Sequence, residues 1–309
     1  MTKLIAHIII AAAVAGMVQV SGCERHGRDE GTRNSAFAQE EILIGLIPEQ
    51  DIFKQRERYL SLGAYLSGKL GVKVSFTSLS KYGDIVERFV SEKMDGAFFG
   101  SFTYAVAHQR LGLEALARPV NMDGTSTYHG YIFARKEKGI RRFSDLKGGR
   151  IAFVDYATTA GYLFPLAYLR EHGVYEPGDF FSKVIFTGSH DAAVEAVLNN
   201  EADAGAAKNT IYDELAEKDM RIARDLVIIA ASRPVPQNCL AVRKDLDPNL
   251  KQAIKNVLLA MDKDPDAAGV LDHFGARGFV ETTDADYAHV YELAKRVGMD
   301  LKRYRYSDR

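Results

Sequence analysis

From Glu41 onward the chain alternates short β-rich runs with segments of helical apolar spacing, and it does so twice. Elements that each bury one face must pack in layers, so this alternation constrains the fold more than any other feature. In the first block "EILIGLI" and "VKVSF" read as strands. Between them, "QRERYLSLGAYLSGKLG" puts Tyr59, Leu62, Leu66 and Leu70 on one helical face before a stop at Gly71. "YGDIVERFVSEK" and "YAVAHQRLGL" read as helices around the buried strand "DGAFFG". The pattern restarts after Gly124. "YHGYIFAR", "RIAFVD", "KVIFTG", "DAGAA" and "DLVIIAAS" read as strands, the second preceded by a short turn or 3₁₀ element, and "HDAAVEAVLNNEA" as a helix. "NCLAVRKD" reads as a strand crossing back, and "LKQAIKNVLLAMD" and "TDADYAHVYELAKRVG" as two closing helices. The pattern predicts α/β units around mainly parallel sheets.

The residues before Glu41 have another character. Lys3 precedes an almost continuous apolar run, Leu4 to Val20, followed by Ser21, Gly22 and Cys23. A charged start, an apolar core and small residues at the end predict a secretory signal over residues 1–22. Val20-Ser21-Gly22-Cys23 resembles a bacterial lipobox, which predicts cleavage before Cys23 and acylation of its new N-terminus. An ordinary signal peptide and a retained membrane helix are the alternatives. Residues 23–40 are charged and poor in large apolar side chains, as in a flexible tether. The expected location is the periplasm, with a lipid anchor in the cell envelope.

About 270 residues then remain for the fold, enough for one large domain or two ordinary ones. The 40 Lys and Arg residues nearly balance 41 Asp and Glu, so no basic excess points to nucleic acid. Cys239 is the one cysteine after Cys23, which excludes a disulfide framework and a thiolate metal cluster within one chain. It reads as an inert buried thiol in "NCLAV". The eight histidines are scattered, and neither HxH nor HExxH spacing is present. A phosphate-ester enzyme, which needs a metal cluster or a positioned nucleophile and base, is not expected, nor is a cofactor.

Chemistry concentrates at "VDYATTAGYLFP". A strand ends at Val154, a small polar knot follows, and helical spacing begins. The first N–H groups of a helix have no partner inside it, and the helix dipole adds partial positive charge there. Such an end binds a small oxyanion without a formal cation. Thr158 and Thr159 offer hydroxyl donors, Ala160 and Gly161 keep the approach open, and Tyr162 can close over the guest. A plain threonine N-cap is the alternative. "GSHDAAVEAV" is a second helix start: Ser189 reads as the N-cap, His190 as a donor, and Asp191 as an acceptor or a holder of the histidine tautomer. Consecutive residues fan apart at a helix start, so these three do not form a hydrolytic triad. For His190 a capping or surface role stays open.

The order of the two blocks, the crossing strand near Tyr128 and the returning strand near Asn238 resemble the bilobed periplasmic solute-binding proteins of ABC importers. The stretches "GLIPEQDIFKQRERY", "DGAFFGSFTYAVA", "NMDGTSTYHGYIFAR", "FSDLKGGRIAFVDYATTAGYLFP", "GSHDAAVEAVLNNEADAGA" and "PVPQNCLAVR" resemble their phosphate/phosphite/phosphonate-binding (PhnD-like) branch. The resemblance implies a type II fold of two α/β lobes joined by two crossing strands. One lobe is expected over residues 41–127 and 237–309, the other over 128–236. It also implies a monomer that holds a small oxyanion between the lobes and presents it to an ABC permease. A sensor that reports to a membrane histidine kinase is the alternative. The ligand set expected on this basis is Tyr104, Tyr128, Thr158, Thr159, Gly161, Tyr162, Ser189, His190 and Asp191, with Gly100, Ser101 and Thr103 beside Tyr104. The loop Glu49 to Phe53 is expected to rim the cleft or to pack. The family pattern has serine where this chain has Gly130 and Ala160. Two hydroxyl donors are thus missing, with His129 and Lys208 as candidate replacements; a solvated role for Lys208 stays open.

Overall fold

The computed structural model describes residues 37–49 and 52–306. The signal segment, Cys23 and most of the tether expected from the sequence lie outside the described residues. The last four residues placed in the tether belong to the fold: Phe37 packs on the core, and the Glu40 carbonyl accepts the Lys73 N–H at 2.8 Å.

The first lobe begins with strand β1 (Glu41–Leu46), helix α1 (Ile52–Leu70), β2 (Lys73–Ser78), α2 (Ile85–Ser91), β3 (Gly96–Phe99), α3 (Ser101–Leu111) and β4 (Glu114–Val120). Strand β5 (Thr127–Tyr128) leads into the second lobe, with β6 (Gly130–Arg135) and β7 (Arg150–Phe153). A π-helical turn (Thr159–Leu163) then runs into α4 (Phe164–Glu171), followed by α5 (Pro177–Phe180), β8 (Lys183–Phe186), α6 (His190–Leu198) and β9 (Ala204–Lys208). Helices α7 (Asn209–Lys218) and α8 (Met220–Asp225) and strand β10 (Leu226–Ala231) complete this lobe. Strand β11 (Val235–Pro236) returns to the first lobe, which closes with β12 (Cys239–Val242), α9 (Pro248–Leu259), α10 (Ala268–Phe274), β13 (Gly278–Glu281) and α11 (Ala288–Arg296).

One sheet has the order β13-β4-β12-β3-β1-β2, the other β10-β6-β9-β7-β8, and β5 pairs antiparallel with β11 as a two-stranded ribbon. The molecule is bilobed α/β, as the resemblance implied. The sheets are not mainly parallel. β1 runs parallel to β2 and β3, and β7 to β8 and β9, but β12, β4, β13, β6 and β10 pair antiparallel. The reversed strands are few: β12 and β6, which enter from the other lobe, and β13 run against the rest of their sheets, while β4 and β10 run with the parallel set. Strands β4 and β13, and helices α5, α7, α8 and α10, were not read from the sequence. β4, "EALARPV", has neither strict alternation nor an apolar run and is held by β12 and β13 on its two sides.

The expected face of α1 is the buried one. Leu62 and Leu66 are fully buried, with Tyr59 and Leu70 beside them, against Ile42, Ile44 and Phe98 of the sheet. Burying each of these leucines contributes about 1.5–3 kcal/mol. Gly71 ends the helix at φ +66°, a conformation that suits glycine.

Candidate functional site

Strand polarity brings the loops together. The segments after β1, β2, β3, β7 and β8, and the end of β9, meet where the two lobes face each other. In open α/β sheets, ligands bind at the carboxyl ends of strands. A small cavity of about 10 Å3, room for one water-sized body, lies there. Glu49, Tyr82 and Gly100 line it from the first lobe, Ala157, Thr158, Thr159, His190 and Lys208 from the second, with Tyr128 and Asn238 at the crossovers. Glu49, Lys208 and Asn238 also line a larger outer cavity of about 400 Å3.

Thr158 is the N-cap of the π-turn, in extended conformation, and its carbonyl accepts the first intrahelical bond, from Leu163 N–H at 3.0 Å. In that register the N–H groups of Thr159, Ala160 and Gly161 precede any carbonyl acceptor inside the turn. The Thr158 hydroxyl donates to the Asp155 carbonyl at 2.8 Å, so its hydrogen holds the turn. The Thr159 hydroxyl accepts the Phe102 N–H at 2.9 Å from the start of α3, in the other lobe. It also hydrogen-bonds the Tyr128 phenol.

His190 and Lys208 are buried. Burial, together with the Lys208 charge, pushes the His190 imidazole down to about 4 against the pull of Glu49 and Asp191, so it is neutral at physiological pH. Its Nδ1 accepts the Lys208 backbone N–H at 3.1 Å, which leaves the proton on Nε2 as a donor. The Lys208 ammonium lies 4.6 Å from the Tyr128 ring centroid and pairs with Glu49. Tyr128 meets Ser101 Oγ at 3.1 Å, Ser101 in turn donates to the Pro236 carbonyl at 2.6 Å, and burial holds the Tyr128 phenol up at about 12. Tyr82 was missed by the sequence reading. It is buried, and its hydroxyl has no hydrogen-bond partner. Burial, then the Glu49 charge, raises its pKa, so it stays a neutral donor. Its position three residues before α2, past the carboxyl end of β2, was the available signal.

Five residues of the expected ligand set lie elsewhere, as do the further candidates His129 and Phe53. Tyr104 is fully buried in the first lobe, with its ring 4.4 Å from that of Tyr287 and its hydroxyl 3.4 Å from His108 Nδ1. The helical twist of α3 turns it toward the core. Ser189 caps α6 by accepting the Ala192 N–H at 3.4 Å and donates to the Asp191 carboxylate. The Asp191 carboxylate accepts the same Ala192 N–H at 2.9 Å. Both serve the helix start and are absent from the cavity wall. Tyr162 packs edge-on against Phe153 and Tyr156 at 5.6 and 4.9 Å. Gly161 serves close packing: a Cβ there would lie 2.4 Å from Val154 Cγ2. His129 Nδ1 meets the Ser232 carbonyl at 2.8 Å and does not line the inner cavity. Phe53 is exposed and lines a separate surface pocket. Cys239 is buried, as expected, and burial pushes its thiol up to about 12. Among the described residues no group of three or more His, Cys, Asp or Glu could hold a metal ion, and no helix is long and apolar enough to cross a membrane.

Residues 44–287 match the family described as "ABC transporter, phosphonate, periplasmic substrate-binding protein". The phosphate-import protein PhnD of Mycolicibacterium smegmatis is 30% identical over 314 residues, covering 95% of this chain and 97% of its own length. The phosphonates-binding periplasmic protein of Escherichia coli is 25% identical over 230 residues, 73% of this chain and 68% of its own. PhnD1 from Prochlorococcus marinus, solved in complex with methylphosphonate, superposes with a TM-score of 0.75 at 22% identity, over 84% of this chain and 99% of that one. At that identity the superposition speaks for the fold alone, while the family match covers most of the sequence. The chain belongs to the phosphonate periplasmic substrate-binding proteins of ABC transporters.

Proposed function

We propose that the inner cavity, widened from its water-sized space as the lobes adjust to the guest, is the seat of a tetrahedral phosphorus oxyanion, phosphate or a phosphonate, which the two lobes close around and present to an ABC permease. The supporting observation is the set of donors meeting there without a metal: the Lys208 ammonium, the His190 Nε2–H, the unpartnered Tyr82 hydroxyl and the open N–H groups of the π-turn. Relatives named for phosphate import, phosphonate binding and phosphite binding favour the same ligand class. Lys208 and Tyr82 supply donors in place of the two family serines. Residues 41–127 with 237–309, and residues 128–236, are the two bodies that move. Tyr128 and Thr159 contact the ligand directly, and Thr158 acts by holding the turn.

Calorimetry of the protein against phosphate, phosphite, methylphosphonate, 2-aminoethylphosphonate, sulfate and arsenite tests this reading. Heat is expected with at least one phosphorus oxyanion, and none with any of the six would defeat it. Thr159→Val is expected to weaken binding about tenfold or more by removing a donor to a charged group. Unchanged affinity would place the site elsewhere. We also propose that Cys23 carries a lipid anchor, on the strength of the lipobox-like sequence. Intact mass and detergent partitioning of Cys23→Ala against the wild type test it; no difference would remove the anchor.

A further inference from the structure

The two flanks of the inter-lobe seam differ in chemistry. Among the described residues, one apolar core cluster lies under α1, α9 and α10 and stays within the first lobe, and another lies under α6 and α7 and stays within the second. A third cluster occupies the opposite faces of both sheets and runs through from lobe to lobe. Phe98 and Phe133 face the single-lobe clusters, while their strand neighbours Phe99 and Ile132 face the shared one.

The C-terminal segment belongs to the shared cluster. It follows β13 of the first lobe, yet α11 packs on α3 of that lobe and on α4 and the π-turn of the other. Val290, Leu293 and Ala294 of α11 are buried there, and Arg296 pairs with Glu171 at the end of α4 at 2.6 Å. The chain then continues along the seam. The Tyr304 hydroxyl donates to the carbonyl of Tyr156, two residues before Thr158, at 3.2 Å, and the Tyr304 carbonyl accepts from Arg110 of α3 at 3.5 Å. The Tyr304 and Tyr306 rings lie 5.5 and 6.1 Å from that of Phe102, and a Cβ at Gly83 would lie 2.6 Å from Tyr306 Cβ. One segment thus grips both lobes through apolar surface. The other flank is polar and hollow. There α1 faces α7 across the outer cavity of about 400 Å3, whose walls carry Arg58, Asp213, Glu214 and Glu217. Arg58 Nη2 and Glu214 Oε1 stand 3.7 Å apart, with both side chains partly exposed. Parting apolar surface exposes it to water at a cost, whereas parting a partly solvated ion pair costs little.

We propose that residues 288–306 are a strap that keeps the lobes joined along the α3–α4 flank, so that they part between α1 and α7 and the ligand enters and leaves through the outer cavity. This rests on the oxyanion reading above and adds the direction of opening to it. The strap and the β5–β11 ribbon together act as the hinge. Opening also separates Arg58 from Glu214, which leaves a cation at the mouth to meet an incoming anion.

Cysteine pairs joined across each flank by a short bis-maleimide, in a Cys23→Ser background, test the proposal. Cys239 is buried with its thiol pushed up to about 12, so it stays unreacted. Arg58→Cys with Glu214→Cys links the outer flank, and Glu171→Cys with Arg296→Cys the strap flank; intact mass verifies each link. Loss of bound radiolabelled phosphate or methylphosphonate into excess unlabelled ligand is followed before and after linking. The outer link is expected to slow exchange about 100-fold or more, and the strap link less than about threefold. Undiminished exchange under the outer link, or arrest under the strap link, overturns the proposal. Deuterium uptake by the protein without added cysteines decides the same question: ligand is expected to slow uptake in α1 and α7 and not in α11. Equal slowing in α11 overturns the strap. An unlinked protein that holds neither phosphate nor methylphosphonate would overturn the oxyanion reading, a result distinct from the others.

Discussion

Tyr82 and His190 are buried polar side chains whose burial costs the fold. The Tyr82 hydroxyl is buried without a partner, which is costly to the fold. Tyr82→Phe is therefore expected to raise stability by up to about 1 kcal/mol while weakening oxyanion binding about tenfold. Melting curves and calorimetry on the same sample check both halves; loss of stability with intact binding would make the residue structural. His190 carries a sign that can be worked out. Its ordinary pKa of 6.5 falls to about 4 in the fold, so the unfolded chain binds the extra proton between those values. Stability from this group is fully present above pH 6.5 and is lost as pH falls toward 4, on the order of 3 kcal/mol in all. His190→Asn keeps an acceptor for the Lys208 N–H and is expected to flatten that acid limb in urea titrations at pH 7 and 5.

At the scale of elements, the two departures from the family pattern are one packing event. A Cβ at Gly130 on β6 would lie 2.7 Å from Phe164 Cδ1 and 3.1 Å from Ala160 Cα on the π-turn. The strand and the helix start approach so closely that a serine hydroxyl has no room at Gly130. Gly130→Ser is thus expected to destabilise by about 1–3 kcal/mol through overpacking, without any gain in oxyanion affinity. A stable variant with tighter binding would show that the helix start can retreat. The same contact explains why glycine and alanine at these positions could be read from the sequence only as lost donors. The residues that crowd them, Phe164 and the π-turn backbone, come from another element. The cap of α6 was legible because Ser189 acts on its own helix, within three residues. Tyr104 was not, because its direction depends on where α3 lies against α11 and Tyr287.

At the scale of the molecule, three contacts cross between the lobes beside the inner cavity. Thr159 accepts from Phe102, His190 donates to the Glu49 carbonyl, and Lys208 pairs with Glu49. Lys208 is the one permanent cation at the inner cavity among the described residues. Lys208→Met is expected to lower phosphate affinity about 10- to 100-fold and to loosen closure. Small-angle scattering with and without phosphate reads the second effect: the wild type is expected to contract on binding, and the variant to contract less. Equal contraction would mean that Lys208 does not hold the lobes.

What the sequence determined by itself is local. The apolar face of α1, the strand-helix alternation, the knot of small residues before α4 and the cap of α6 each depend on side chains within a few positions, where spacing is information enough. The family was legible for the same reason, since its motifs are short stretches at strand ends. The tertiary structure alone decided which of those stretches meet. The antiparallel pairing of the crossover strands, the Lys208–Glu49 pair, the unpartnered hydroxyl of Tyr82 and the burial that neutralises His190 join residues far apart in the chain. Their energies depend on distance and desolvation in space, and sequence spacing encodes neither.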